Sequence, residues 1–212
     1  MIVTSSKINI TGYNFMKPFL KKLQFNNCTA IPDSFNELIG KMENAANHNE
    51  VLDILYKNVE KGELELKNGV LFKHGEYIIQ NMFKDFGNLY EYNLKKVNNL
   101  GLDIAPEHIK TIIKDNDMFL ITKIKGTKNG DLIPYCKVKE KVSRKNKLAA
   151  FSDMQKLTKA GLADDKILHS SDIWFATPDD NRIVIPSFER LRPLSVGENQ
   201  KALECYHNII FN

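Results

Sequence analysis

The chain has 212 residues, 42% hydrophobic and 26% charged, close to a globular average and long enough for one ordinary domain with a short extension. That composition excludes a disordered chain, a collagen-like fibre and a coiled-coil rod, and the length allows a buried core without disulfide or metal staples. Thirty Lys and Arg against 26 Asp and Glu leave a net charge of +4, too mild an excess to argue by itself for nucleic acid.

The start, Met1–Ile10, is polar and rich in Ser, Thr and Asn. It lacks the basic and apolar regions of a Sec signal, and two readings stay open: a type III-like secretion address or an ordinary flexible terminus. No apolar run approaches the ~18–20 residues that span a bilayer. Cys28, Cys136 and Cys205 lie far apart and form no CxxC pair, so reduced thiols in a reducing compartment are expected. The five histidines show no metal-ligand spacing.

From Pro32 to Glu60 the sequence reads as helix. Phe35, Leu38, Ile39, Met42, Ala45 and Ala46 share one face, with Asp33 or Ser34 able to cap it; a second short helix carries Val51, Leu52, Leu55 and Val59. The period then changes to two. Glu63–Leu66, the Asn68-Gly69 turn, Val70–Phe72, the His74-Gly75 turn and Tyr77–Phe83 predict a three-stranded antiparallel meander. A helix from about Asp85 to Leu100 follows, with Phe86, Leu89, Tyr90, Leu94 and Val97 as its buried stripe. Two strands, Ile109–Ile113 and Met118–Ile124, complete this part.

The second half opens with a connector, Lys125–Gly130, and a basic run from Lys137 to Lys147 opposed only by Glu140. A helix is expected from about Lys147 to Ala160, with Phe151, Met154, Leu157 and Ala160 on one side. After a loop comes a hairpin, Ile173–Phe175 and Arg182–Ile185, with Trp174 packed in its core. Ser187–Pro193 reads as an exit loop, and Ser195 with Glu198 as a capping box for a last helix to about His207.

The order strand-strand-strand, helix, strand-strand, connector, long helix, loop, hairpin, loop resembles the protein-kinase fold in a minimal version, of the kind found in effectors secreted by bacterial pathogens. The resemblance spans about residues 63–193. It implies an α+β, small bilobal fold with an antiparallel N-lobe sheet and a helical C-lobe. Its divisions would be 1–60 (helical extension), 61–125 (sheet with one helix) and 126–212 (helical part with hairpin).

The resemblance also says where the chemistry would stand. Tyr77–Gln80 lies where the family writes Val-Ala-Ile-Lys, so Gln80 takes the lysine position, with Glu91 as its helix partner. The turn Lys67–Gly69 is too short for a glycine-rich flap. Counting forward from Gly161 puts Lys166 at the catalytic aspartate, and counting back from Asp172 puts Ile167 there. Asp164 and Asp165 lie just upstream and could substitute only if the loop shifts. Asp172 would replace the metal asparagine, and in Ser187-Phe188-Glu189 the metal aspartate is a serine, with Glu189 at the glycine.

The expectation is therefore a kinase-like, pseudokinase-type protein that acts by protein–protein binding, cytoplasmic or secreted into a host cell, without cofactor. One alternative is a divergent active phosphotransferase using ATP and Mg, with Asp165 and Asp172 catalytic, Gln80 and Glu91 at the nucleotide, and Asp172 and Glu189 on metal; another is a purely structural or regulatory domain that only imitates the kinase order, in which Gln80, Glu91 and Asp172 would not converge on one cleft. Its partner is expected to be protein rather than nucleic acid, with the basic run available to an acidic surface.

Overall fold

A computed structural model describes residues 31–127, 131–170 and 172–212. The polar start, Cys28, the first half of the helical extension and Lys128–Gly130 of the connector lie outside the described residues. Among the described residues no helix is long and apolar enough to cross a membrane.

Two helices lead, α1 (Asp33–Asn44) and α2 (His48–Glu60). Pro32 takes the first cap position and makes no side-chain cap, so neither Asp33 nor Ser34 plays that part. Asn47 caps α2 by accepting from the Glu50 amide, and the Glu50 carboxylate accepts from Ala46 N–H at 2.6 Å.

The meander follows as β1 (Glu65–Lys67), β2 (Leu71–His74) and β3 (Tyr77–Phe83). Asn68 and Gly69 sit at φ of 52° and 73°, left-handed positions in the three-residue loop between Lys67 and its partner Leu71. After α3 (Lys84–Asn99), strands β4 (Glu107–Lys114) and β5 (Asp117–Lys123) complete a five-stranded antiparallel sheet in the order β1-β2-β3-β5-β4.

One sheet face packs on α1 and α2 through Phe72, Tyr77, Ile79, Phe119 and Ile121 against Phe35, Leu38, Met42, Val51 and Leu55. The other face receives α3. That helix turns Gly87, Tyr90, Asn93, Leu94 and Val97 inward, while Phe86 and Leu89, expected in the buried stripe, are 51% and 55% exposed. The cause is close approach: a Cβ on Gly87 would stand 2.5 Å from the Met118 sulfur, so the glycine face can come nearest the sheet.

The second half begins with β6 (Ile133–Pro134) and a short α4 (Tyr135–Val138) that leads into the basic run. Helix α5 (Arg144–Lys159) starts three residues before the sequence expectation, because the Ser143 side chain accepts from Asn146 N–H and caps it there. The expected loop after it instead forms β7 (Leu162–Asp164) and α6 (Asp165–His169). The hairpin is β8 (Phe175–Ala176) with β9 (Ile183–Val184).

The expected exit loop contains β10 (Leu191–Pro193), antiparallel to β7. Helix α7 (Glu198–Phe211) is preceded by Gly197 rather than a side-chain cap. Only half of the capping box forms, the Glu198 carboxylate accepting from Ser195 N–H at 2.6 Å.

A single apolar cluster joins the two halves. Tyr90, Leu94 and Val97 of α3 and Leu120 of β5 share it with Met154, Leu157, Trp174, Ile185, Phe188 and Tyr206. Asp153 of α5, almost fully buried, accepts from the Ile104 amide at 2.9 Å and ties the long helix to the connection between α3 and β4. The result is an α+β fold, with an antiparallel sheet in its N-terminal half and helices in its C-terminal half.

Candidate functional site

The segment Pro186–Arg190 lies between α3 and the start of α6, and both elements hold it. The Tyr90 hydroxyl donates to the Pro186 carbonyl at 2.6 Å, and the buried Asn93 amide donates to the Phe188 carbonyl at 2.9 Å. Burial, followed by the nearby Glu189 charge, pushes the Tyr90 hydroxyl well above the usual phenol range, so it remains a donor.

On the α6 side, Asp164 is wholly buried. Its Oδ1 accepts from Lys166 N–H at 2.9 Å and Ile167 N–H at 3.3 Å, and its Oδ2 from Arg190 N–H at 2.8 Å. Burial raises the Asp164 pKa, and these three amides only partly offset the rise.

Within this frame Lys166, Ser187 and Glu189 converge. The Lys166 ammonium lies 3.1 Å from Glu189 Oε2, and the Ser187 hydroxyl donates to Glu189 Oε1 at 2.8 Å. Burial pushes the Glu189 carboxyl up, but the Ser187 hydroxyl and the Lys166 ammonium together hold it below its ordinary value. Glu189 is therefore ionised at neutral pH, with both oxygens engaged. Ile167, the other residue at the catalytic-aspartate register, is fully buried apolar core.

The remaining sequence candidates stand apart from this centre. Asp165 accepts from Arg192 Nε at 2.6 Å, and the same guanidinium binds Glu198 at 2.9 Å, linking the starts of α6 and α7. Asp172 is exposed beyond α6, its amide donating to Ser170 Oγ at 3.2 Å. Among the described residues no group of three or more His, Cys, Asp or Glu side chains is placed to hold a metal ion.

Gln80 pairs across β3 with Leu71 and Leu120. Leu120 belongs to the cluster shared with the C-terminal half, whereas the flanking Ile79 belongs to the cluster under α1 and α2. Alternation therefore puts Gln80 on the sheet face toward α3.

Glu91, its expected partner, is committed to the edge strand β4. It accepts from Thr111 Oγ1 at 2.6 Å, pairs with Lys95 at 2.6 Å and touches His108 Nε2 at 3.2 Å. Strand β5 separates β4 from β3. Burial and the Lys95 charge lower the His108 pKa despite Glu91, so the imidazole is neutral at pH 7 and that contact is not an ion pair.

Of the residues that organise this centre, Asp164 was a candidate only as a substitute base, and Tyr90 and Asn93 were not site candidates in the sequence. The available signals were a polar Asn on the inward stripe of α3 and an Asp before a one-turn helix.

No family model matches the chain, and no curated protein does. Among solved structures, the kinase PK-1 of Cydia pomonella granulovirus aligns with 12% identity and a TM-score of 0.45, covering 67% of this chain and 57% of its own. The chain thus spans little more than half the length of that kinase.

Proposed function

We propose that this chain is a kinase-like protein that works by binding another protein rather than by transferring phosphate. The observation that carries the reading is the Lys166–Glu189 pair, closed on its other side by Ser187. Phosphoryl transfer needs a free base, a cation for the phosphates and carboxylates open to Mg²⁺. Here the cation and the carboxylate neutralise each other, Asp165 is tied to Arg192, and Asp172 is exposed beyond α6.

This donor set does not fit a magnesium nucleotide. Delivery into a host cell, which the resemblance to small bacterial effectors implies, is proposed with this reading. A reporter fused to the chain that never leaves the producing bacterium overturns that part.

The test of inertness is thermal. A ligand that binds only the folded state must raise the melting temperature. Millimolar Mg-ATP is expected to leave it where magnesium alone does. A rise of several degrees, abolished by Asp172→Ala or Glu189→Gln, overturns the reading in favour of a divergent phosphotransferase.

A further inference from the structure

The basic run acquires a geometry in the fold. Arg144, Lys147, Leu148 and Phe151 follow the i, i+3, i+4, i+7 spacing of one face of α5. With Val142 and the α7 residues His207 and Phe211 they line a groove of about 710 Å³. Its floor is aromatic: Phe151 stands edge-on to both His207 and Phe211, at centroid distances of 5.8 and 6.0 Å. Leu148 on its rim is 50% exposed. A second depression continues the groove along α7 past Leu203, sharing Phe151 and His207.

The charge beside this groove is uncompensated. The first turn of α5 carries Arg144, Lys145 and Lys147 and no acid, which opposes the helix dipole. Among the described residues the ion pairs lie elsewhere, and none neutralises Lys137, Lys141, Arg144, Lys145 or Lys147. Burial and the Lys147 charge both depress the Lys139 pKa, a sign that these ammonium groups repel one another.

We propose that the groove between α5 and α7 docks an acidic amphipathic segment of a partner protein, its carboxylates on the Arg144–Lys147 rim and its apolar side chains on Leu148, Phe151 and Phe211. The concave apolar floor favours such a segment over a flat lipid surface. The edge-packed rings favour it over nucleic acid, whose bases need exposed ring faces. The proposal rests on the protein-binding reading above and gives that reading a surface and a partner chemistry.

The test is fluorescence anisotropy with the full chain and a short labelled helical peptide, Glu-rich with Leu and Trp at i, i+3, i+4 and i+7. A peptide of the same composition with its apolar residues dispersed is the control. The designed peptide is expected to bind, and the dispersed one about tenfold more weakly. Arg144→Glu with Lys147→Glu should weaken binding by about tenfold, and Leu148→Ser by about threefold. All three residues lie at the surface, and unchanged Trp174 emission certifies the fold.

Failure of the designed peptide to bind, equal binding of the two peptides, or indifference to these substitutions overturns the proposal. So does tighter binding to phosphatidylserine vesicles or duplex DNA than to the peptide. Loss of peptide binding with no Mg-ATP shift removes this surface and leaves the inert-kinase reading standing; peptide binding together with an Mg-ATP shift does the reverse.

Discussion

Lys166 and Glu189 meet at 3.1 Å across the junction of α6 with the Pro186–Arg190 segment, from positions 23 residues apart in the chain. Each is about one-third exposed, so water screens the pair but does not dissolve it.

A double-mutant cycle on Lys166→Met and Glu189→Gln should therefore give a modest coupling, about 0.5–1 kcal/mol by urea unfolding, falling as salt is added. Zero coupling at low ionic strength would show that the two side chains act independently.

Asp164 should be far more costly to lose. Asp164→Ala leaves the amides of Lys166, Ile167 and Arg190 without their acceptor in a buried place. At about 1–3 kcal/mol per orphaned group, the loss should reach several kcal/mol. Asp164→Asn, which keeps one oxygen, should lose less. A raised folded-state pKa also means that ionised Asp164 weighs against the fold, so this residue's contribution improves as pH falls through that pKa. Measured against Asp164→Asn, the wild type should gain ground on acidification.

Glu198 has the opposite sign. The Arg192 guanidinium and the Ser195 amide hold its pKa at about 2, against an ordinary 4.5. Its stabilisation is complete above the ordinary value and disappears as pH falls through about 2. The difference in melting temperature between wild type and Glu198→Gln should be constant near neutrality and shrink below pH 4.5. A constant gap across that window would contradict the pairing.

The grip of α3 on the Pro186–Arg190 segment can be loosened one bond at a time. Tyr90→Phe removes the donor to the Pro186 carbonyl, and Asn93→Leu the donor to Phe188. Each should cost about 1–3 kcal/mol. Amide hydrogen exchange around residues 187–190 should quicken more than in β3 or β5. Uniform acceleration across the molecule would indicate global destabilisation instead.

Much of the fold was legible because strong local signals agreed with the tertiary arrangement. Strict alternation and the Asn68-Gly69 turn placed the meander, and helical spacing placed α1, α2 and α5. The face of α3 was misread because hydrophobicity alone favours Phe86 and Leu89 inward. Contact with Met118 instead rewards the small Gly87, which a count of apolar residues ignores. Strands β7 and β10 carry three residues each, too few for a period, and each exists only because the other pairs with it. Glu91 was found on its helix, but its direction depends on Thr111 and His108, which the sequence does not announce as neighbours.

Trp174 is the chain's one tryptophan, and it sits fully dry in the cluster that also holds Leu120 of the sheet and Phe188. Any rocking of the sheet against the helices must wet that seam, so the N-terminal and C-terminal halves should melt in a single step. The emission of one indole then reports on the whole body: red-shifting once, at the same midpoint as loss of far-ultraviolet ellipticity, and never in two stages.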